Sequence, residues 1–180
     1  MSSSRKDMMS YKDFLEKSKK PFVRPQIWKW DDIESELQEA LSENFLSGGE
    51  GGGRGTIALV NEDTGDSYGV SPTMNMVAQV FEPGEHNKPH RHTNTALSII
   101  VKGEGYSIVD GEKIEWKAGD VFIAPPWTDH EHCNTSETEQ AMFFTIQDVP
   151  VVSMMGTWFR ESPEQPQSHI VADAKEKSSK

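Results

Sequence analysis

The sequence predicts an all-β domain, an antiparallel sandwich or barrel preceded by one amphipathic helix. From Thr56 to about Val152, short runs rich in Val, Ile, Phe and Tyr alternate with turn residues, the pattern of many short strands at even spacing. Upstream, Ile33, Leu37, Leu41 and Phe45 recur every four residues, the period of a helix with one apolar stripe. No apolar run in the 180 residues approaches the ~20 that a membrane-spanning helix needs.

Residues 1–30 are charged, Ser/Lys-rich and broken by Pro21 and Pro25, and read as a poorly ordered arm with room for one helical turn. Asp31 and Asp32 put carboxylates at the start of the helix, which runs to about Leu46. The glycine-rich run Gly48–Gly55 stops it and reads as a flexible linker; no Gly-Lys-Ser/Thr follows, so a phosphate-binding loop is not indicated. The strand runs are TIALV, MNMVAQVF, ALSIIV, YSIV, KIEW, VFIAP and AMFFTI, and they place the barrel at 56–160. Asp110-Gly111 between YSIV and KIEW is the signature of a two-residue type I′ hairpin. The tail, 161–180, carries prolines and then lysines and serines, and is expected to fray. No internal repeat appears, so one barrel is expected.

Formal net charge is −11, which repels polyanions and makes nucleic acid and anionic membranes poor partners. Cys133 is the single cysteine, so an intrachain disulfide is ruled out; with no signal-peptide core, a reducing cytoplasm is the expected location.

The chemistry concentrates in histidines. His90 and His92 stand two apart, and alternate residues of a strand share a face, so both rings aim at one point. His130 lies on a later run that a hairpin fold can bring alongside. Three neutral imidazoles on a rigid wall suit Fe, Mn, Ni, Cu or Zn. His132 shares the face of His130 and reads as a fourth ligand or, by preference, as a neighbour that donates a proton or supports the ligands. Asp129 points away from a regular strand's ligand face, or acts as a base if it sits on a bend. Trp116, Trp127 and Phe144 are candidate aromatic walls, core packing being the plain alternative for Trp116 and Phe144. His86 reads as solvent-exposed, Cys133 as a small buried filler and Asn134 as a backbone-bonding turn residue.

Over residues 74–150 the sequence closely resembles the cupin superfamily. Its first motif appears as Gly84, His90, His92 and Gly103, with Ala96 where the family carries Glu; its second as Gly119, Pro125, His130 and Asn134, with Trp127 in place of Gly. The loss of Glu, with HRHT before an apolar strand and PPWT before the third histidine, is similar to the gentisate 1,2-dioxygenase group, which includes salicylate and 1-hydroxy-2-naphthoate dioxygenases. Asp129 stands where that group commonly has Trp, and the group's proteins tend to hold two cupin domains.

The resemblance implies a single-cupin double-stranded β-helix (jelly-roll) barrel. It implies Fe(II) held by His90, His92 and His130, with Trp127 on the pocket approach, and a hydroxylated aromatic acid and O₂ as reactants. A cation should orient the substrate carboxylate. Arg54 is a candidate by type, whereas Arg91, between two ligands, should point away. Three neutral ligands leave the metal open positions for substrate and O₂. The rivals are a metal-dependent lyase, isomerase or thiol dioxygenase on the same site, and a binding cupin or subunit of a heteromeric dioxygenase. A homodimer or higher oligomer is expected, since open sheet edges seek partners.

Overall fold

A computed structural model of the chain describes residues 8–19, 23–47, 54–162 and 165–169. Residues 48–53 of the predicted linker, much of the arm, the end of the tail and the side chain of Phe45 lie outside the described residues. Helix α1 (Tyr11–Ser18) is capped by Ser10 and buries none of its residues. It takes two turns where the sequence suggested one, because Ser10 accepts the Asp13 N–H and closes the first of them. Helix α2 (Trp30–Ser47) carries Asp31 and Asp32 within its first turn, where they face the positive end of the helix dipole.

Eleven strands follow among the described residues. A five-stranded sheet has the order β1-β2-β9-β4-β7, made of β1 (Arg54–Leu59), β2 (Asn75–Phe81), β9 (Ala141–Gln147), β4 (Ala96–Lys102) and β7 (Val121–Ala124). Facing it are a sheet of β6 (Glu112–Lys117), β5 (Glu104–Val109) and β8 (His130–Asn134), and another of β11 (Gln165–His169), β10 (Phe159–Ser162) and β3 (Arg91–His92). The sheets close on each other as an all-β jelly roll. The short helix α3 (Val149–Met154) follows β9. Among the described residues, no helix is long and apolar enough to cross a membrane.

The alternation of side chains along the large sheet explains its two faces. Ala78 and Val80 of β2, Met142 of β9 and Leu59 of β1 pack against Ile33, Leu37 and Leu41 of α2. The residues between them, Phe81, Ile100, Phe143 and Phe122, fill the barrel with Trp116. The hairpin at Asp110-Gly111 has φ of 50° and 83°, both positive, as a type I′ turn demands. Gly103 (φ 84°) turns β4 into β5 where an added Cβ would stand 2.8 Å from Ala141 Cα, so no other residue fits.

Phe159 and Arg160, at the end of the expected barrel, form β10 together with Glu161 and Ser162, the first two residues of the expected tail; β10 lies beside the histidine strand in the register Arg160↔His92 and Glu161↔Arg91. Thr93 anchors it: its hydroxyl donates to Thr157 O at 2.7 Å and accepts Phe159 N–H at 3.0 Å. Trp158 Nε1 donates to Asn94 Oδ1 at 3.0 Å.

Candidate metal centre

His90 and His130 exchange backbone hydrogen bonds of 3.1 and 2.8 Å, so the chain just before β3 lies against the first residue of β8. His92 follows two residues on and shares the inward face. Ring centroids are 4.4 Å apart for His90 and His130, 4.7 Å for His92 and His130, and 5.7 Å for His90 and His92. One ligating nitrogen from each lies within 4.8 Å of the other two.

Each ring is oriented by a backbone carbonyl at its Nδ1: Lys88 O at 3.1 Å for His90, Asn94 O at 2.9 Å for His92 and Thr128 O at 2.9 Å for His130. A carbonyl only accepts, so the Nδ1 of His92 and of His130 carries the proton and Nε2 offers a lone pair; at His90 the Lys88 carbonyl favours the same tautomer, lying closer to Nδ1 than the Asn87 amide nitrogen at 3.4 Å. Burial, then the neighbouring His130, pushes His90 down to about 3 and His92 down to about 4; burial also lowers His130. The rings are therefore neutral at pH 7, the state in which imidazole binds a metal. The donor set fits a divalent transition metal: three imidazole nitrogens, with Ala96 on the inward face of β4 and 5% exposed where the family's carboxylate ligand stands.

Around this centre the wall is mixed. Arg54 is the first residue of β1 and not part of a loop; it stands over the Phe81 ring, 5.9 Å from its centroid, and burial lowers its pKa. Arg160, not singled out in the sequence, shares the inward face of His92, and its charge depresses all three histidines. Gln79, Ser98 and Thr145 form a buried polar chain across the large sheet, with bonds of 3.2 and 3.1 Å.

One of the predicted pocket residues, Phe144, lies elsewhere. Phe144 is on the outer face of β9, against α2 and edge-on to Trp30 at 6.3 Å; its neighbour Phe143 faces inward. The Trp127 ring covers the outward-pointing Arg91 guanidinium at 4.7 Å, and Glu161 binds that guanidinium with an Nε–Oε2 distance of 2.7 Å. Asp129 is exposed on the bend before β8, where its carbonyl binds Asp110 N–H. Trp116 belongs to the core. His86 is exposed as expected, and Cys133, on the outer face of β8, is partly exposed and not buried. Asn134 bonds the backbone as expected, donating to Glu82 O at 3.0 Å and Glu139 O at 2.8 Å.

Residues 77–147 match the cupin domain family. The chain is 32% identical over 155 residues to 5-nitrosalicylic acid 1,2-dioxygenase of Bradyrhizobium sp, covering 84% of this chain and 72% of that protein. It is 31% identical to gentisate 1,2-dioxygenase of Streptomyces sp over 80% of this chain but only 40% of the relative, so it spans less than half of that longer enzyme. A variant of salicylate 1,2-dioxygenase from Pseudoaminobacter salicylatoxidans superposes with a TM-score of 0.65 at 26% identity, over 84% of this chain and 47% of that one. The same enzyme, solved as its gentisate adduct, gives a TM-score of 0.67 at 22% identity over 77% of this chain and 37% of that one, a likeness of fold. With the inward histidines, the vacant glutamate position and these relatives in agreement, the chain belongs to the cupin superfamily, in the group of gentisate- and salicylate-type 1,2-dioxygenases.

Proposed function

We propose that this chain is an Fe(II)-dependent dioxygenase that opens the ring of a hydroxylated aromatic acid, with His90, His92 and His130 as the iron ligands. The observation that carries the reading is the convergence of three Nε2 lone pairs on a face where Ala96 supplies no carboxylate. A neutral donor set leaves the dication its full charge and leaves room for a chelating substrate and O₂ side by side. Bound iron supplies the one-electron chemistry that couples an electron-rich ring to O₂.

The chain's own residues do the rest. The carbonyls of Lys88, Asn94 and Thr128 hold the imidazoles at fixed angles, so little reorganisation is needed when the metal binds. Arg54 and Arg160 give the interior a positive field that favours an anionic ligand and can orient its carboxylate. Phe81, Phe122 and Phe143 exclude water and offer faces to an aromatic ring. Holding both reactants at one centre removes much of the entropic barrier.

The test is anaerobic loading with Fe(II), followed by O₂ uptake with salicylate, gentisate and nitro- or amino-substituted salicylates. Uptake with at least one, matched by loss of the ring chromophore, supports the reading. Bound iron with no uptake favours a second one, a ligand-binding cupin or subunit of a larger dioxygenase. That alternative draws on the 40% coverage of the gentisate enzyme, whereas the 72% coverage of the nitrosalicylate enzyme favours a chain that acts by itself. Product formed without O₂ would indicate a lyase or isomerase.

A further inference from the structure

Of the three carbonyls that orient the histidine rings, two stand on turns tied within the barrel. The turn at Lys88 is held through Asn87, whose Oδ1 accepts the His132 N–H of β8 at 2.6 Å. The turn at Thr128 is closed by its own hydroxyl on Pro125 O at 2.7 Å. His132, the fourth imidazole of the interior, lies outside the ligand cluster and is likewise held from within, its Nδ1 2.8 Å from Ser107 Oγ of β5. The turn at Asn94, which serves His92, is tied differently.

Residues 93, 94 and 95 are gripped by chain that comes after β9. The Thr95 N–H donates to Asp148 Oδ1 at 2.8 Å. The Thr93 N–H donates to Phe159 O at 3.1 Å, and the Thr93 hydroxyl bridges Thr157 O and the Phe159 N–H. Thr157 is anchored in turn on α3, its N–H donating to Val152 O at 2.9 Å. Asn94 is the pivot: its Oδ1 accepts the Trp158 indole N–H at 3.0 Å, and its backbone carbonyl lies 2.9 Å from His92 Nδ1. Asn94 is 1% exposed, so water cannot replace the indole. A buried acceptor without a donor is costly, so losing that N–H displaces Asn94 and, with it, the carbonyl that His92 meets.

We propose that Asp148 and residues 157–159 form a clasp on the metal centre: through Thr93, Asn94 and Thr95 they set the position of the His92 ring, and metal binding and closure of this segment stabilise each other. The topology supplies the second half of the argument. Among the described strands, β10 pairs with β3 and β11, and β3 is two residues long, one of them the ligand His92. A metal that fixes His92 therefore fixes the strand against which β10 lies. By reciprocity, the factor by which the closed clasp raises metal affinity is the factor by which metal favours closure. Trp158 and Thr93 are positioning residues, acting only through Asn94 and His92. The inference rests on His90, His92 and His130 as the ligands proposed above and is independent of the ring chemistry.

The experiment uses the full chain with Zn(II) as the probe and a chromophoric chelator as competitor. Trp158→Phe keeps an aromatic ring and deletes the N–H. Thr93→Val keeps the shape and deletes the hydroxyl, whereas Thr93→Ser keeps the hydroxyl. Zn(II) affinity should fall about tenfold in Trp158→Phe and in Thr93→Val, the scale of an outer-shell partner of a ligating histidine. Thr93→Ser should bind Zn(II) as wild type does. Leu37→Ala, which weakens the fold from the other face of the large sheet, separates stability from positioning and should keep its affinity. In wild type, Zn(II) should slow amide exchange at Thr93 and Phe159 by about tenfold or more, and by more than at the β1 amides, as a locally opening unit coupled to the metal requires. Unchanged affinity in either Trp158→Phe or Thr93→Val, equal losses in Thr93→Ser and Thr93→Val, a matching loss in Leu37→Ala, or exchange at Phe159 slowed no more than in β1 would each overturn the clasp. Zn(II) bound by wild type with no response in the variants refutes the clasp alone; a wild-type chain that takes up no Zn(II) refutes the ligand set and the clasp with it.

Discussion

The backbone N–H of Trp127 donates to the carbonyl of His92 at 2.7 Å, from a residue held at φ 62°. The cupin motif places Gly here, and the conformation shows why: the turn that presents His130 needs a left-handed residue, which costs a side-chain-bearing residue roughly 1–2 kcal/mol. The stack on Arg91 offsets part of that, at about 0.5–1 kcal/mol. Trp127→Ala removes the stack and keeps the strain; Trp127→Gly removes both. After glycine's entropy cost, the Gly variant should be the more stable of the two by about 0.5–1 kcal/mol. Urea midpoints decide it, and an Ala variant equal to or above Gly would refute the strain.

Stability of the metal-free chain should depend on pH through the ligands. His90 and His92 titrate near 3 and 4 in the fold, against an ordinary value of 6.5. Between about pH 6.5 and 4 the unfolded chain binds protons that the folded barrel refuses, so stability is full above this window and is lost as pH falls through it. Carboxylates elsewhere add their own acid dependence. The diagnostic is therefore a His90→Gln/His92→Gln double variant, whose stability should fall less steeply from pH 7 to 4.5. Parallel slopes in urea titrations would mean that these rings protonate as freely folded as unfolded.

The two arginines predict a split in kinetics. If Arg54 and Arg160 hold the substrate carboxylate, Arg160→Gln should raise KM for a carboxylated aromatic about tenfold, as loss of one charge-assisted bond implies. A hydroquinone lacking the carboxylate should be handled alike by variant and wild type. Iron content should not fall, because the guanidinium repels the dication. Oxygen-electrode kinetics with the two substrates measure this; equal losses on both would assign Arg160 to holding β10 against His92.

Helix α2 acts at a distance from the chemistry. Leu37 is 1% exposed beneath the large sheet, so Leu37→Ala should cost about 2–5 kcal/mol, while the metal centre on the other side of β2 keeps its affinity. Thermal melts with and without Zn(II) test this, and a parallel loss of metal affinity would show that the two faces of the sheet are coupled.

The ligands were legible in the sequence because spacing alone sets their geometry: one residue between His90 and His92 puts both on a single strand face. Asp110-Gly111 and Asn134 were legible for the same local reason. Phe144 was misplaced because AMFFTI is apolar on both faces. One packs into the barrel and one under α2, and nothing in a continuous apolar run says which is which. The strand at Phe159–Ser162 escaped notice because it is held by Thr93, Asn94 and Arg91, some seventy residues away (|i−j| = 70 for Arg91–Glu161), and not by a pattern of its own. With it went Arg160, whose inward position follows only from that long-range pairing.

Ala96 offers the sharpest test of the open coordination face. It lies on the inward face beside Ala124, its partner across the β4–β7 ladder, and Val109. Ala96→Glu would restore the carboxylate of the wider family at this spot. Without metal, a buried carboxylate among these side chains has no partner, and the variant should be less stable than wild type by several kcal/mol. Metal should recover that loss, because the carboxylate becomes a fourth ligand, so the rise in Tm on adding Zn(II) should be larger than in wild type. The iron-loaded variant should consume O₂ with aromatic acids far more slowly, since the added ligand takes a position that a chelating substrate needs. A variant that binds metal more tightly yet turns over undiminished would show that the missing carboxylate has no part in the chemistry.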